Sequence, residues 1–234
     1  MKYVLYLDSF QSTSTKISKP SFQLNQPIGG AMEVKVVSLT FGNNLHNVVA
    51  ERNTLVFNTV TVTVPPGYYT TISFVQYVNA ALMANVNFLA NLTTETSALS
   101  LDAQNNVLWT IGGNFLQSGT LLPNFGITSI LTGNFQSFLF LAQPSALAIS
   151  CSQLHGGNDR FVSTKNNAIT NIFYVGQIRS GFGEIEQPNY DFQFRTQLSR
   201  SNLSQIDFFI FDPSNGREIT ELNFFSLILE ITAL

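Results

Sequence analysis

Charge is what this chain of 234 residues has least of. Asp, Glu, Lys and Arg make up 11% of it, where an ordinary soluble domain carries roughly 25%. Asn, Gln, Ser and Thr fill the gap, while the hydrophobic share of 44% is ordinary. A neutral polar surface packs against another subunit at small desolvation cost, because an unpaired buried charge is the expensive case. The composition therefore fits an assembling protein, and it equally fits a charge-poor secreted or surface β protein. Lys and Arg number 11, the net charge is −3, and there is no basic run or interleaved aromatic track. That pattern excludes the usual electrostatic footprint of a nucleic-acid binder. A single cysteine, Cys151, excludes an intrachain disulfide and fits a reducing compartment. No run approaches the ~20 apolar residues of a membrane span. The opening MKYVLYLDSF has an apolar stretch too short for a secretory segment and broken by Asp8, so synthesis without a signal peptide is expected. The sequons at Asn91 and Asn202 arise easily by chance in so Asn- and Thr-rich a chain.

Reactive residues are as sparse. His46 and His155 are the two histidines, too far apart for any recognisable metal spacing. Cys151 and His155 resemble a nucleophile and base, but Cys151 closes the apolar run Leu147-Ala148-Ile149-Ser150 and is expected to be a buried strand residue. Glu184, Glu186 and Asp191 surround Gln187-Pro188-Asn189. Calcium could take those oxygens, although a solvated loop is the expectation. Gly112-Gly113 and Gly181-Phe182-Gly183 lack the strand, turn and helix context of a phosphate site and read as turns. No carboxylate pair is singled out for glycoside chemistry. No catalytic, cofactor-binding or metal residue is assigned. The aromatics are 21 Phe against 7 Tyr and 1 Trp, whereas sugar and contact surfaces favour Tyr and Trp. Tyr68-Tyr69 is the best candidate for an exposed aromatic pair.

The chain carries many short strand-like runs, and Thr54–Val64 alternates with period two, the signature of a half-buried strand. The runs fall at Tyr3–Leu7, Phe22–Leu24, Met32–Phe41, Thr54–Val64, Leu99–Leu101, Val107–Ile111, Phe138–Leu141, Leu147–Ser152, Ile169–Ile178 and Tyr190–Leu198. Ser9–Pro20 is polar and aperiodic, an arm or connector that needs something to tie it down, with a neighbouring subunit one candidate. A helix is predicted over Ser73–Asn91, with a Ser73/Gln76 capping box and an apolar stripe of Val75, Val78, Leu82, Val86 and Leu89. A helical turn is predicted within Leu122–Leu131. Trp109 should face inward from a hairpin turning at Asp102–Asn106. The last segment places Asp212-Pro213-Ser214-Asn215-Gly216 between Ile206–Phe211 and Phe224–Ile231, a hairpin signal that should be built into a sheet up to the last residue. These features predict an all-β protein, a single jelly-roll antiparallel β-sandwich with one or two inserted helices. One domain is expected over 21–234, preceded by an N-terminal strand and arm over 1–20.

Several segments then line up in order. These are Leu7-Asp8-Ser9, Phe22-Gln23-Leu24, the Glu-containing strand Met32–Leu39, Val64-Pro65-Pro66-Gly67-Tyr68-Tyr69 before an amphipathic helix, Leu122–Ile127, and the Phe211–Ile219 turn with its final strand. In this set the chain resembles the penton, or minor capsid, proteins of virophages and of Polinton-like and adintovirus-like DNA viruses. The resemblance implies a virion protein: a single jelly roll forming a homopentamer at the fivefold vertices of an icosahedral capsid, beside a double jelly-roll major capsid protein. It implies no enzymatic residues. The sequence shows no obvious insertion domain between strands, unlike larger members. The rival readings are a trimeric jelly-roll receptor-binding or lectin-like module with a Trp- or Tyr-lined cleft, and an all-β glycan-cleaving enzyme.

Overall fold

A computed structural model describes residues 1–58, 60–90, 98–137, 144–154, 161–162, 169–170, 172–187 and 195–234. The Phe138–Leu141 run, the Asn91 sequon and the start of the Tyr190–Leu198 run lie outside them. In chain order come β1 (Lys2–Asp8), β2 (Ser21–Gly42), β3 (Thr54–Phe57) and β4 (Val60–Thr63), then α1 (Thr71–Met83) and α2 (Val86–Leu89). Next are β5 (Leu99–Leu101), β6 (Val107–Trp109), β7 (Phe115–Ser118), β8 (Leu131–Thr132) and β9 (Phe135–Ser137). The chain closes with β10 (Ala146–Ser150), β11 (Phe161–Val162), β12 (Ile169–Thr170), β13 (Ile172–Gln177), β14 (Ile185–Glu186), β15 (Arg195–Asp207), β16 (Phe209–Phe211) and β17 (Phe225–Ala233). Every strand pairing among the described residues is antiparallel. The fold is all-β and jelly-roll-like, as the sequence predicts.

The chain divides into two compact units, Met1–Leu45 with Pro144–Leu234, and His46–Gln143. The first unit is thus discontinuous along the chain, with the second lying between Leu45 and Pro144 in sequence. Nothing in composition marks the boundaries, because strand and turn patterns continue through both.

In the first unit one sheet runs β1-β17-β2, with β14 and β15 both paired to β2, and a second runs β13-β10-β16. Val34, Val36, Leu39 and Phe41 of β2 and Leu227, Leu229 and Ile231 of β17 share one buried core with Leu147 and Ile149 of β10, Phe173 of β13 and Ile210 of β16. Alternation along β17 is strict: Phe225, Leu227, Leu229 and Ile231 are buried, and Ser226, Ile228, Glu230 and Thr232 lie on the other face. β2 is one strand where the sequence predicts two. Pro27 and Gly29-Gly30 fall where the β15 register slips between Arg200 and Gln205, and Gly30 takes a φ of 102° there.

The terminal hairpin also differs from expectation. Its turn is present: Asp212 accepts from the Ser214 N–H at 2.8 Å and from Asn215 Nδ2 at 3.0 Å. The return is only a bridge between Phe211 and Glu218, after which β16 stays with β10 while β17 joins β1 and β2. The turn therefore carries the chain from one sheet to the other. Two runs of period two can each pair with many strands, so a turn signal alone does not choose the partner.

The second unit holds the sheets β4-β3-β7-β8 and β5-β6-β9, with Leu55, Phe57, Val60, Val62, Phe74, Val78, Leu82 and Trp109 in its core. Thr54–Val64, predicted as one strand, is the hairpin β3–β4 with Phe57 opposite Val60. The buried set moves from Leu55 and Phe57 to Val60 and Val62, a change of phase marking the turn, and Asn58 takes a φ of 50° there. The predicted helix is shorter and capped earlier. Thr70 accepts from the Ser73 N–H at 3.2 Å, and Asn85 restarts the chain as α2 by accepting from the Asn87 and Phe88 N–H groups. Phe74, Val75, Val78 and Leu82 are buried while Val86 is exposed. Asn79 ties α1 to β5, donating to Leu99 O at 2.8 Å and accepting from the Leu99 N–H at 2.6 Å.

Candidate functional site

Among the described residues, the thiol and the loop carboxylates singled out in the sequence are engaged in structural contacts. Cys151 is buried beyond the end of β10, its thiol turned to Gln153 Oε1 at 3.5 Å. His155 lies outside the described residues, and His46 is half-buried in the other unit. Glu186 is buried and accepts from the Arg179 and Ser180 N–H groups at 2.7 and 2.6 Å. Glu184 accepts from the Gly181 N–H at 2.7 Å. Both carboxylates thus order their own loop, which Asn43 fastens by donating from Nδ2 to Ser180 O at 2.8 Å. Asp191 is outside the described residues, and among the described ones no group of three His, Cys, Asp or Glu gathers for a metal ion. Gly112 and Gly183 take φ of 57° and 83° in turns.

The expected aromatic pair separates. Tyr68 is exposed, but Tyr69 packs edge-on to Phe74 and Tyr77, its N–H donating to Asn47 Oδ1 at 2.9 Å and its carbonyl accepting from Asn47 Nδ2 at 2.8 Å. Burial, with a smaller contribution from Tyr77, raises the Tyr69 hydroxyl above the usual tyrosine range. The one tryptophan is buried in the core of the second unit.

An unforeseen polar cluster fastens the arm. Glu218 receives the Ser18 hydroxyl at 2.6 Å and Lys19 Nζ at 2.8 Å, and the Lys19 ammonium lies 5.3 Å from the Phe209 ring centre. Asp207 receives the Ser21 hydroxyl at 2.6 Å, Gln153 Nε2 at 2.7 Å and Gln205 Nε2 at 2.8 Å. The backbone agrees: the Phe208 and Ile210 N–H groups donate to Pro20 O and Ser18 O. The arm is therefore tied to its own unit, and no neighbouring subunit is required to order it. Partners nearly two hundred positions apart leave no spacing signal in the sequence.

These contacts give an acid sensitivity with a definite sign. Hydrogen bonding from Lys19 and then Ser18 holds Glu218 below the usual carboxylate range. Burial pushes Asp207 up, but the bonds from Ser21, Gln205 and Gln153 outweigh it and leave it low. A carboxylate depressed in the folded state stabilises fully above its unfolded value of about 4 and loses that contribution as pH falls through the folded value. Melting temperature should accordingly hold with respect to these groups down to about pH 5 and fall below about pH 4. Glu218→Gln is expected to cost about 1 kcal/mol at neutral pH, since the pair is partly exposed, and to flatten the acid limb. Melts from pH 7 to 3 on both proteins check this, and an unchanged acid limb would remove Glu218 from the account.

What remains open to partners is surface. On the outer face of the β1-β17-β2 sheet, Val4, Tyr6 and Val37 are exposed beside half-buried Ile228, and Lys2 pairs with Glu230 at 2.8 Å. A groove of about 410 Å³ runs between β1 and the first half of β2, lined by Tyr3, Leu5, Leu24, Ile28 and neutral Gln and Asn side chains. In the second unit Ile72, Val86, Phe115 and Ile130 are exposed. This is a jelly-roll-like body with apolar patches and no assembled reactive centre among its described residues. It has the fold of a penton protein. Among solved structures it is similar to that of the mavirus penton protein, with a TM-score of 0.59, coverage of 100% of both chains and 10% sequence identity. No protein-family model matches the sequence, and no curated protein matches it. Among the described residues no helix is long and apolar enough to cross a membrane.

Proposed function

We propose that this chain is a penton, or minor capsid, protein that forms homopentamers at the fivefold vertices of an icosahedral capsid. The likeness in fold to the mavirus penton protein, which covers the whole of both chains, carries the reading. The charge-poor composition supports it, since subunit contacts can bury Asn, Gln, Ser and Thr more cheaply than ions. In this reading the partner is a double jelly-roll major capsid protein, the location is the virion, and the chain performs no catalysis.

Around a fivefold axis one patch of each subunit meets a different patch of the next, and the ring closes only if the rotation is one fifth of a turn. The neutral outer faces and exposed apolar residues are the material for such contacts. Single-particle imaging of virions, or of the purified protein mixed with its shell partner, tests the proposal. Fivefold density at the vertices is expected. A threefold or monomeric particle that stays off the shell would overturn it and favour a receptor-binding head.

A further inference from the structure

Strand β1 is the edge of its sheet, and which of its backbone groups face outward follows from one bond. The Ala233 N–H donates to Met1 O at 2.8 Å, which makes Met1 and Ala233 a hydrogen-bonded pair. The β1–β17 register then runs without a shift from Lys2↔Thr232 to Asp8↔Ser226. Hydrogen-bonded and non-bonded pairs alternate along an antiparallel ladder. Tyr3, Leu5 and Leu7 therefore bond to β17, and the N–H and C=O groups of Lys2, Val4, Tyr6 and Asp8 point away from the sheet. Among the described residues no strand pairs with that edge.

An open edge of this kind is a template for another strand, and the sequence Lys2-Tyr3-Val4-Leu5-Tyr6-Leu7-Asp8 is complementary to its own reverse. We propose that β1 pairs antiparallel with β1 of a second copy of this chain, about a twofold axis through Leu5. In that register Lys2 meets Asp8 of the second copy and Val4 meets Tyr6, so the outward-facing backbone groups of all four residues find partners. Registers centred on Val4 or Tyr6 separate the opposite charges, and a parallel pairing sets like charge beside like. The side chains agree, since a β-branched residue against an aromatic is a favourable cross-strand pair, and Val4 and Tyr6 are both exposed in the single chain. Half-buried Leu5, beside the groove, meets Leu5 of the second copy, and half-buried Tyr3 meets its Leu7. The contact is isologous and thus separate from the heterologous contacts of a fivefold ring.

Sedimentation of the full chain over a range of concentrations tests this, with Val4→Pro and Leu5→Cys as variants. Proline at position 4 removes an outward N–H that β17 does not use, a placement edge strands tolerate. The wild type should associate in twos, and Val4→Pro should weaken that association about tenfold or more at an unchanged melting temperature. Leu5→Cys places two thiols at a non-hydrogen-bonded position on the axis, where Cβ atoms lie roughly 4.5–5.5 Å apart. It should oxidise to a reducible dimer, and Val4→Cys should not. A wild type that never associates in twos, or a Val4→Pro chain that dimerises as before, overturns the proposal. If Val4→Pro melts lower, the cysteine pair decides, and equal oxidation of Leu5→Cys and Val4→Cys overturns it. Pentamers that persist in Val4→Pro would leave the penton reading standing whichever way the dimer falls.

Discussion

Leu227→Asp is expected to leave no soluble folded protein. Leu227 is fully buried in β17, opposite buried Leu7 of β1 on one side and buried Leu39 of β2 on the other. Removing the leucine side chain from such a position costs about 2–5 kcal/mol. Leaving an unpaired carboxylate in its place adds several kcal/mol more, unless the group takes up a proton. Against a typical total of roughly 5–15 kcal/mol, that loss exceeds the margin. The neighbouring substitution Ile228→Asp is the control, because Ile228 lies half-buried on the outer face of the same strand. It should change stability by about 1 kcal/mol or less. Soluble yield and circular dichroism of the two variants separate the faces. A cooperative melt for Leu227→Asp would show that β17 does not run through the core.

The alternation that underlies this contrast is legible in the sequence, and so is the β5–β6 hairpin, whose partner is set by local pattern. Trp109 faces inward as its hairpin predicts, with Asp102 accepting from the Gln104 and Asn106 N–H groups to hold the turn. That hydrogen bonding, led by Asn106, keeps Asp102 below the usual carboxylate range. What depends on the choice between distant partners is not legible. Phe209–Phe211 and Phe225–Ala233 flank one turn yet enter different sheets, because period two specifies a face and not a neighbour. In Thr54–Val64 the polar Asn58 is an acceptable outward strand residue, so only the switch of buried phase reveals a hairpin. Ser18, Lys19 and Glu218 meet across nearly the whole chain, and Ser and Lys in an aperiodic arm look solvated until the fold brings a carboxylate to them. The assembly surface is legible only as a shortage of charge. Val4 and Tyr6 acquire meaning from the free edge of β1, which no local pattern announces.

Trp109→Ala should produce the largest loss in the second unit. The indole stacks on Phe135 with centroids 5.5 Å apart and planes at 10°, meets Phe125 edge-on at 5.3 Å and lies 6.2 Å from Phe57. Truncating a buried aromatic of this size costs about 3–5 kcal/mol. The polar end of the ring allows a finer test, since Nε1 donates to the Ser137 hydroxyl at 2.6 Å inside the core. Ser137→Ala strands a buried indole N–H and should cost about 1–3 kcal/mol, and Trp109→Phe deprives the hydroxyl of its donor and adds a small cavity. Removing both partners leaves no orphan, so the double variant should be more stable than the sum of the single losses predicts. Denaturant melts followed by circular dichroism measure all four proteins, and in the wild type and Ser137→Ala the single tryptophan also reports this unit by fluorescence. Strict additivity would mean that the Trp109 indole N–H and the Ser137 hydroxyl are not coupled, each finding another partner when the other is removed.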